Sequence, residues 1–236
     1  MSPLPPGLQD LNAGIYGHAP SDPTPTRRLP RRHLRELAYL SRQKGSLLDV
    51  GCGAGRFLLA ARERGWRVAG VDLSESNARA GQATGLDVRS AALADAGFEE
   101  QSFDAARLNQ VIEHVPEPLD LLRDVAKVLR PGGLLSLATP NIASLSARFL
   151  GAQWNHLGSE LNGHLVLFSR ATLTRALVEA GFRPLRWKTI GLRLRPRSSG
   201  VRDRVTRLTA RLLTPLAQAA GEGGRLHVFA ERTELA

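Results

Sequence analysis

LLDVGCGAGRF, residues Leu47–Phe57, is the stretch of sequence that decides the fold. Its first four residues form an apolar run that carries one carboxylate, which is typical of a buried strand. Three alternate glycines follow, and a helix-like stretch begins directly after them. The pattern predicts a strand, a tight glycine turn and a helix N-terminus, whose backbone N–H groups favour an electron-rich ligand.

The spacing of the glycines separates two kinds of nucleotide site. A dinucleotide-binding turn has the pattern G-x-G-x-x-G, which after Gly51 and Gly53 would require glycine at position 56. That position is Arg56, and the third glycine is Gly55. Arg67–Asp72 is predicted to be a second strand whose final carboxylate, about 20 residues past the turn, can accept hydrogen bonds from both ribose hydroxyls of a nucleoside. The spacing therefore argues against NAD.

The pattern D-x-G-C-G-x-G followed by Asp72 resembles the class I S-adenosylmethionine-dependent methyltransferases, over a region from about Leu47 to Phe182. The resemblance implies a Rossmann-like α/β fold with a doubly wound, seven-stranded sheet whose last strand is antiparallel. It also implies that S-adenosylmethionine (SAM) lies across the strand ends and leaves as S-adenosylhomocysteine (SAH). Strands that alternate with helices independently predict a doubly wound parallel sheet.

The same resemblance implies which residues surround SAM, all of them in or just after the first four strands. They are Asp49, Gly51, Cys52, Gly53, Asp72, Leu73, Ala92, Leu93 and Asn109. Asp49, Gly51 and Gly53 would line the methionine moiety, Asp72 would bind the ribose, and Asn109 would lie near the sulfonium. Leu73, Ala92 and Leu93 would meet the adenine. We interpret Cys52 as a small packing residue of the turn.

Asn109–Pro116 reads NQVIEHVP and matches the segment after the fourth strand in the same family. In some quinone-precursor O-methyltransferases and small-RNA methyltransferases, a Glu-x-x-Glu-His pattern here holds a divalent metal. Gln110 replaces the first carboxylate, and a neutral amide is a poorer ligand for a hard cation. The sequence therefore predicts a structural Glu113–His114 pair and no metal, with metal binding as the alternative. His114 is also a candidate catalytic residue.

Residues 140–168 interrupt the alternation of strands and helices and are predicted to form an insert over the active-site edge. Within it, His164 resembles a histidine of small-molecule methyltransferases and is the predicted general base, because an unperturbed pKa of about 6.5 suits proton abstraction. The alternative is that it only holds the insert in place. Trp154 and His156 are predicted to contact the substrate, together with Tyr16 from the N-terminal arm. The alternatives are that Trp154 is a hydrophobic anchor and that His156 is a second candidate base.

The remaining length of the chain suits one domain, residues 31–236, preceded by an irregular arm or lid at 1–30. Ser74 and Ser169 are predicted helix N-caps. Pro131-Gly132-Gly133 is predicted to stop a helix before a strand at 134–138. The final strand pair is predicted at 185–194 and 225–231, with a helix from Val201 to Ala219 between them.

The net charge is +10, and residues 193–211 contain seven arginines and one acidic residue. Spaced apolar residues there predict a basic amphipathic helix that either packs on the fold or meets an anionic membrane. The single cysteine fits a reducing compartment, and no run of 18 apolar residues occurs. The prediction is a cytoplasmic protein, with peripheral contact at the inner membrane surface as an addition.

The predicted function is methyl transfer from SAM to a small-molecule acceptor at oxygen. The alternatives are a methyltransferase of RNA or another nucleic acid, and a nucleotide-binding protein without catalysis. Positive charge favours a nucleic acid. Aromatic residues, however, make up only 5% of the chain, which leaves few stacking platforms for bases. The Asn/Asp-Pro-Pro-Tyr/Phe motif of amine methyltransferases is also absent after the fourth strand.

Overall fold

The structure of the protein is a computed structural model, which describes residues 29–41, 45–154, 156, 163–192 and 212–234. Tyr16, most of the predicted N-terminal arm and the arginine-rich segment 193–211 lie outside the described residues. Strands and helices alternate through the described part, as the sequence predicts.

The strands are β1 (Ser46–Val50), β2 (Arg67–Asp72), β3 (Asp87–Ser90), β4 (Phe103–Asn109), β5 (Leu129–Pro140), β6 (Phe182–Ile190) and β7 (Arg225–Arg232). The helices are α1 (Arg31–Leu40), α2 (Arg56–Arg62), α3 (Glu75–Gln82), α4 (Pro118–Val128), α5 (Leu145–Leu150) and α6 (Arg170–Glu179). Residues 212–219 are also helical. Short 3₁₀ turns occupy Leu93–Asp95, Ile112–His114 and Gly151–Gln153.

The described residues form a seven-stranded sheet in the order β3-β2-β1-β4-β5-β7-β6. β7 runs antiparallel to both of its neighbours, whereas β1 to β5 pair in parallel. This arrangement confirms the predicted fold class, including the antiparallel last strand. Because parallel strands share a direction, the turns after β1, β2, β4 and β5 meet at one edge of the sheet.

Strand β1 is buried on both faces of the sheet, which explains its nearly continuous apolar sequence. Leu48 and Val50 pack into the core that α4 and α6 cover. Leu47 packs on the opposite face, with Leu37 of α1 and Phe57 of α2. Alternate residues of one strand therefore fill two separate layers, and helix α1 is part of the fold rather than an appendage.

Both predicted N-caps are confirmed, because Ser74 accepts the backbone N–H of Asn77 and Ser169 accepts that of Thr172. The predicted helix stop at residues 131–133 is wrong. Helix α4 ends at Val128, and those residues already belong to β5, which pairs with β4 from Leu129 onwards. The first strand of the last pair, β6, begins and ends earlier than predicted, at Phe182–Ile190 instead of 185–194.

Candidate active site

The glycine turn after β1 combines a left-handed backbone conformation with open space. Gly51 has φ +68° and Gly53 has φ +56°, a conformation that side chains disfavour. A Cβ on Gly51 would lie 2.5 Å from a methyl carbon of Val111, whereas a Cβ on Gly53 would meet nothing within 4 Å. Packing therefore requires Gly51, and the space in front of Gly53 is left for a ligand.

The carboxylate of Asp72 is fixed at the end of β2, directly beside this turn. It accepts hydrogen bonds from the backbone N–H of Gly53 at 2.8 Å and of Ser74 at 3.0 Å, and from the Asn77 side chain at 3.1 Å. An ionised carboxylate has about four lone-pair sites, so one remains for a ligand hydroxyl. The next side chain, Leu73, is 58% exposed and offers an apolar surface at the same edge.

Three further residues predicted to contact the cofactor have different positions. Asn109 is half-buried at the end of β4, and Ala92 is exposed after β3. The side chain of Leu93, however, is buried in the core, so only its backbone can face a ligand at this edge. Cys52 packs beneath the turn, and burial raises the pKa of its thiol well above the usual range, which suits a packing role.

The predicted direct contact between Asp49 and the cofactor needs correction. Asp49 has no exposed surface, and both of its carboxylate oxygens accept hydrogen bonds from Nη1 of Arg107, at 3.0 and 3.1 Å. Burial raises the pKa of Asp49 to about 6, although the charge and hydrogen bonds of Arg107 oppose this. Asp49 thus supports the glycine turn from below instead of touching a ligand.

Arg107 of strand β4 links Asp49 of strand β1 to helix α1. Its Nε donates to Glu36 at 3.0 Å, and its guanidinium lies 4.1 Å above the ring of Phe57. Burial alone would raise the pKa of Glu36, but the hydrogen bond from His33 and the charge of Arg107 lower it to about 2. Sequence reasoning missed this network, although an arginine between the apolar residues Ala106 and Leu108 of strand β4 was a usable signal.

A cavity of about 280 Å³ opens beside the carboxyl ends of β4 and β5. Its lining includes Asn109, Ala138, Trp154, His156, Arg225 and His227. The predicted substrate residues Trp154 and His156 therefore lie next to Asn109, and helix α1 closes one side of the same cavity.

Beside His156, three side chains from two separate sequence motifs lie close together. Ligand atoms of Glu113, His114 and His164 all lie within 4.8 Å of one another. Nδ1 of His114 is 3.1 Å from the Gly163 carbonyl, and Nδ1 of His164 is 3.0 Å from the His156 carbonyl. Because a carbonyl only accepts, we assign the hydrogen to Nδ1 in both rings, which leaves the lone pair on Nε2.

Burial determines the charges of this cluster. It lowers the pKa of His114 to about 4 and also lowers that of His164, so both rings are neutral at pH 7. It raises the pKa of Glu113 to about 7. Oε2 of Glu113 accepts from Thr139 at 2.9 Å, and its Oε1 is buried without a hydrogen-bond partner in the described part of the chain.

One carboxylate oxygen and two imidazole nitrogens are a donor set that suits a divalent transition-metal ion. The orphaned oxygen of Glu113 fits such an ion, so the residues present fit a metal. Gln110 does not join them, because its backbone N–H and its side-chain amide both donate to the Ala138 carbonyl, at 2.8 and 3.2 Å. The prediction of no metal rested on Gln110. Sequence spacing could not show that His164 lies beside Glu113 and His114.

A family model of the methyltransferase domain matches residues 25–186 of the chain. The chain belongs to this methyltransferase family. The match confirms the resemblance read from Asp49–Gly55 and Asp72, and with it the predicted enzyme class and SAM as its cofactor.

This methyltransferase resembles curated proteins over part of its length. It is 40% identical over 103 residues to the ubiquinone biosynthesis O-methyltransferase of Parvibaculum lavamentivorans, a match that covers 40% of each protein. It is 34% identical over 117 residues to the protein of the same name from Xanthomonas campestris pv. campestris, covering 46% of this chain and 49% of that one. The chain thus spans less than half the length of these relatives.

Solved structures share the fold over most of the methyltransferase. A SAM-dependent methyltransferase from Mesorhizobium loti is 23% identical, with a TM-score of 0.61, 84% of this chain covered and 96% of that one. The geranyl diphosphate C-methyltransferase of Streptomyces coelicolor A3(2) is 18% identical with a TM-score of 0.64, covering 98% and 100%. Among the helices that the structure describes, none has the length and apolar character needed to cross a bilayer.

Proposed function

We propose that this methyltransferase transfers the methyl group of SAM to a hydroxyl oxygen of a small-molecule acceptor that binds in the cavity beside Asn109. The observation that carries the proposal is that the open turn at Gly53, the Asp72 carboxylate and this cavity share one edge of the sheet. The name of the curated relatives, ubiquinone biosynthesis O-methyltransferase, supports oxygen as the acceptor atom.

In this proposal SAM lies over the glycine turn. The backbone at Gly51 and Gly53 lines its methionine moiety, Asp72 accepts a hydrogen bond from one ribose hydroxyl, and Leu73 covers the adenine. Asn109 then lies where the sulfonium faces the cavity. Methyl transfer is an in-line displacement, so the main task of these residues is to align donor and acceptor and to exclude water.

The acceptor lies against His156, and Trp154, which is only 1% exposed, supports that ring edge to face with the ring centres 5.0 Å apart. His156 stacks in turn on His164 at 5.4 Å, so the cluster of Glu113, His114 and His164 adjoins the acceptor. We assign this cluster to polarising the acceptor hydroxyl, and these three side chains would hold a divalent ion. Such an ion would supply Lewis-acid chemistry, which lowers the pKa of a bound hydroxyl.

A nucleic-acid acceptor is the second candidate, because the net charge of +10 favours anionic partners. The low aromatic content, 5% of the chain, argues for the small molecule, because bases of single-stranded nucleic acids stack on aromatic side chains. Transfer of a labelled methyl group from SAM to total RNA, with none to a small-molecule extract, would reverse this order.

Calorimetry with SAH tests the cofactor assignment. Loss of a hydrogen bond to a charged group costs about 1.5–3 kcal/mol, so we expect Asp72→Ala to weaken SAH binding by about 10- to 100-fold. Asp120→Ala, at an exposed site on α4, is the matched control and should bind like the wild type. Wild-type affinity for SAH in Asp72→Ala would contradict the proposed position of the ribose.

A further inference from the structure

Three histidines line the cavity, His33, His156 and His227, and His227 belongs to none of the motifs. His227 lies on β7, on the face of the sheet that α1 covers, with its ring 4.6 Å from that of Phe229. Its side chain is almost buried but contributes to the cavity wall. Its possible role depends on which of its two ring nitrogens carries the lone pair that faces the cavity.

Hydrogen bonds from α1 through β5 settle the tautomer of His227. Oγ of Ser136 lies 2.8 Å from Oε1 of Glu36 and 2.9 Å from Nε2 of His227. Glu36 is ionised and can only accept, so the hydroxyl hydrogen of Ser136 goes to Glu36. Ser136 must then accept from His227, which places the hydrogen on Nε2 and leaves the lone pair on Nδ1.

This lone pair is accessible from the cavity. Nε2 is engaged with Ser136, and no described residue forms a hydrogen bond with Nδ1. Because the side chain of His227 lines the cavity, Nδ1 can meet a hydroxyl there.

Charged groups on three elements surround His227. Glu36 and His33 face it from α1, Arg107 from β4, and Lys188 from β6, where Lys188 is its paired residue. Burial lowers the pKa of His227, the charge of Glu36 opposes this, and Lys188, Arg107 and His33 lower the pKa further. The imidazole is therefore neutral at pH 7 and able to accept a proton.

We propose that His227 is the general base of methyl transfer, with Ser136 and Glu36 as the residues that position it. Nδ1 removes the hydroxyl proton while the acceptor oxygen attacks the methyl carbon of SAM. The new O–CH₃ bond forms, the S–CH₃ bond breaks with its electron pair going to sulfur, and neutral SAH leaves. The proton stays on Nδ1 and then passes to water, while Glu36 stabilises the imidazolium through Ser136.

This assignment rests on the proposed function and deepens it by separating two tasks. His164, the base predicted from the sequence, lies behind His156 with Glu113 and His114, where it can polarise the acceptor or hold an ion. Proton removal then falls to His227, which lines the cavity and whose Nδ1 keeps its lone pair because Nε2 donates to Ser136.

The first test needs no acceptor. The chain has six histidines, and ¹⁵N-histidine NMR of the SAH-bound protein reports which nitrogen of each ring carries hydrogen. The signals of His227 are those missing in His227→Gln. We expect a neutral ring at pH 7 with hydrogen on Nε2, and loss of that preference in Ser136→Ala. Hydrogen on Nδ1 at pH 7 would overturn the proposal.

The second test measures methyl transfer from labelled SAM to 3,4-dihydroxybenzoate as the probe acceptor across pH 5–9. General-base catalysis contributes about 10²–10⁴-fold, so His227→Gln should lose at least about 100-fold in kcat, with SAH affinity unchanged. Ser136→Ala should move the acidic limb of the pH profile down, because it uncouples Glu36. Lys188→Gln should keep activity and move that limb up, because a repelling charge is removed.

A kcat of His227→Gln within twofold of the wild type would overturn the role of His227, while the proposed function would stand. A wild-type protein that neither binds SAH nor methylates the probe would refute the proposed function itself. The NMR tautomer would still decide whether the Glu36–Ser136–His227 arrangement exists.

Discussion

A single guanidinium, that of Arg107, supports the candidate site from below. It lies between two carboxylates, Glu36 and Asp49, and all three groups are buried. Two negative charges share one positive charge there, with His33 donating an additional hydrogen bond to Glu36 at 3.0 Å. The pairing is therefore indispensable to its members: without Arg107, both acids would remain buried and uncompensated.

We expect Arg107→Met to lower the free energy of unfolding by about 3–5 kcal/mol at pH 7, measured by urea denaturation, because it removes one partner of a buried ion pair. The triple variant Glu36→Gln/Asp49→Asn/Arg107→Met should recover most of this loss. Arg123→Met, which breaks an exposed ion pair with Asp120, is the control and should change stability by less than about 1 kcal/mol.

The deficit of Arg107→Met should also depend on pH. The pKa of Asp49 is already raised in the folded protein, and loss of Arg107 raises it further. A group with a raised folded pKa stabilises the fold below its unfolded pKa and loses that contribution as pH rises through the folded value. The deficit should therefore be smaller at pH 5 than at pH 8. A deficit that does not change with pH would contradict the assigned charges.

Gly51 and Gly53 of the turn should respond differently to substitution by alanine. Gly51→Ala meets both a left-handed φ and a methyl group of Val111 at 2.5 Å, so it should destabilise the protein by more than about 2 kcal/mol. Gly53→Ala meets only the φ strain, of about 1–2 kcal/mol, but its methyl group enters the space reserved for SAM. Thermal unfolding should separate the first variant, and SAH calorimetry the second. Equal stability of the two variants would argue against this division.

At the scale of elements, the 3₁₀ turn Ile112–His114 and the segment that follows the insert are held together by backbone hydrogen bonds. The Glu113 carbonyl accepts from the N–H of Leu165 at 2.7 Å and from that of Val166 at 3.2 Å. These bonds bring His164 to Glu113 and His114, although 50 residues separate the two motifs.

We expect this cluster to bind Mn²⁺ or Zn²⁺ with an affinity that rises with pH. Burial raises the pKa of Glu113 to about 7, so below that pH a proton competes with the ion, whereas His114, with a pKa of about 4, is neutral throughout. Calorimetry at pH 6 and pH 8 should show tighter binding and less proton release at pH 8. Glu113→Gln and His164→Ala should lose the ion, and Gln82→Ala, on α3, should keep it. Wild-type binding in both ligand variants would refute the site.

Local signals predicted the elements well, because each depends on residues close together in the chain. Ser74 and Ser169 cap their helices, and alternation of apolar segments located β1 to β4. The start of β5 was predicted at Leu134, after a helix stop at residues 131–133, but the strand begins at Leu129. Pairing of Leu129 with Phe103 of β4 overrides the preference of proline and glycine for turns. Tertiary pairing of this kind leaves no signal within a short window.

At the scale of the whole molecule, the site is assembled from distant parts of the chain. Glu36 and Ser136 are 100 residues apart, and Ser136 and His227 are 91 apart. The cofactor side was predictable because its residues follow one another along β1, the turn and β2. On the acceptor side, Trp154 and His156 could be predicted from the insert, whereas His227 could not, because α1 and β7 meet only through the topology that places β7 next to β5.

The position of β7 makes the last described strand essential for the fold. β7 lies between β5 and β6, and Leu226, Val228 and Phe229 are completely buried. Full burial of each such side chain contributes about 1.5–3 kcal/mol, so their loss together is comparable to the whole stability of a domain, about 5–15 kcal/mol. Removal would also leave β5 and β6 with unpaired edges. Deletion of residues 225–236 should therefore abolish cooperative unfolding and SAH binding, measured by circular dichroism and calorimetry. Deletion of 235–236 alone should preserve both. A protein that lacks 225–236 and still binds SAH would show that the cofactor-binding half of the sheet folds without β7. The strand that carries His227 would then not be needed for a stable core.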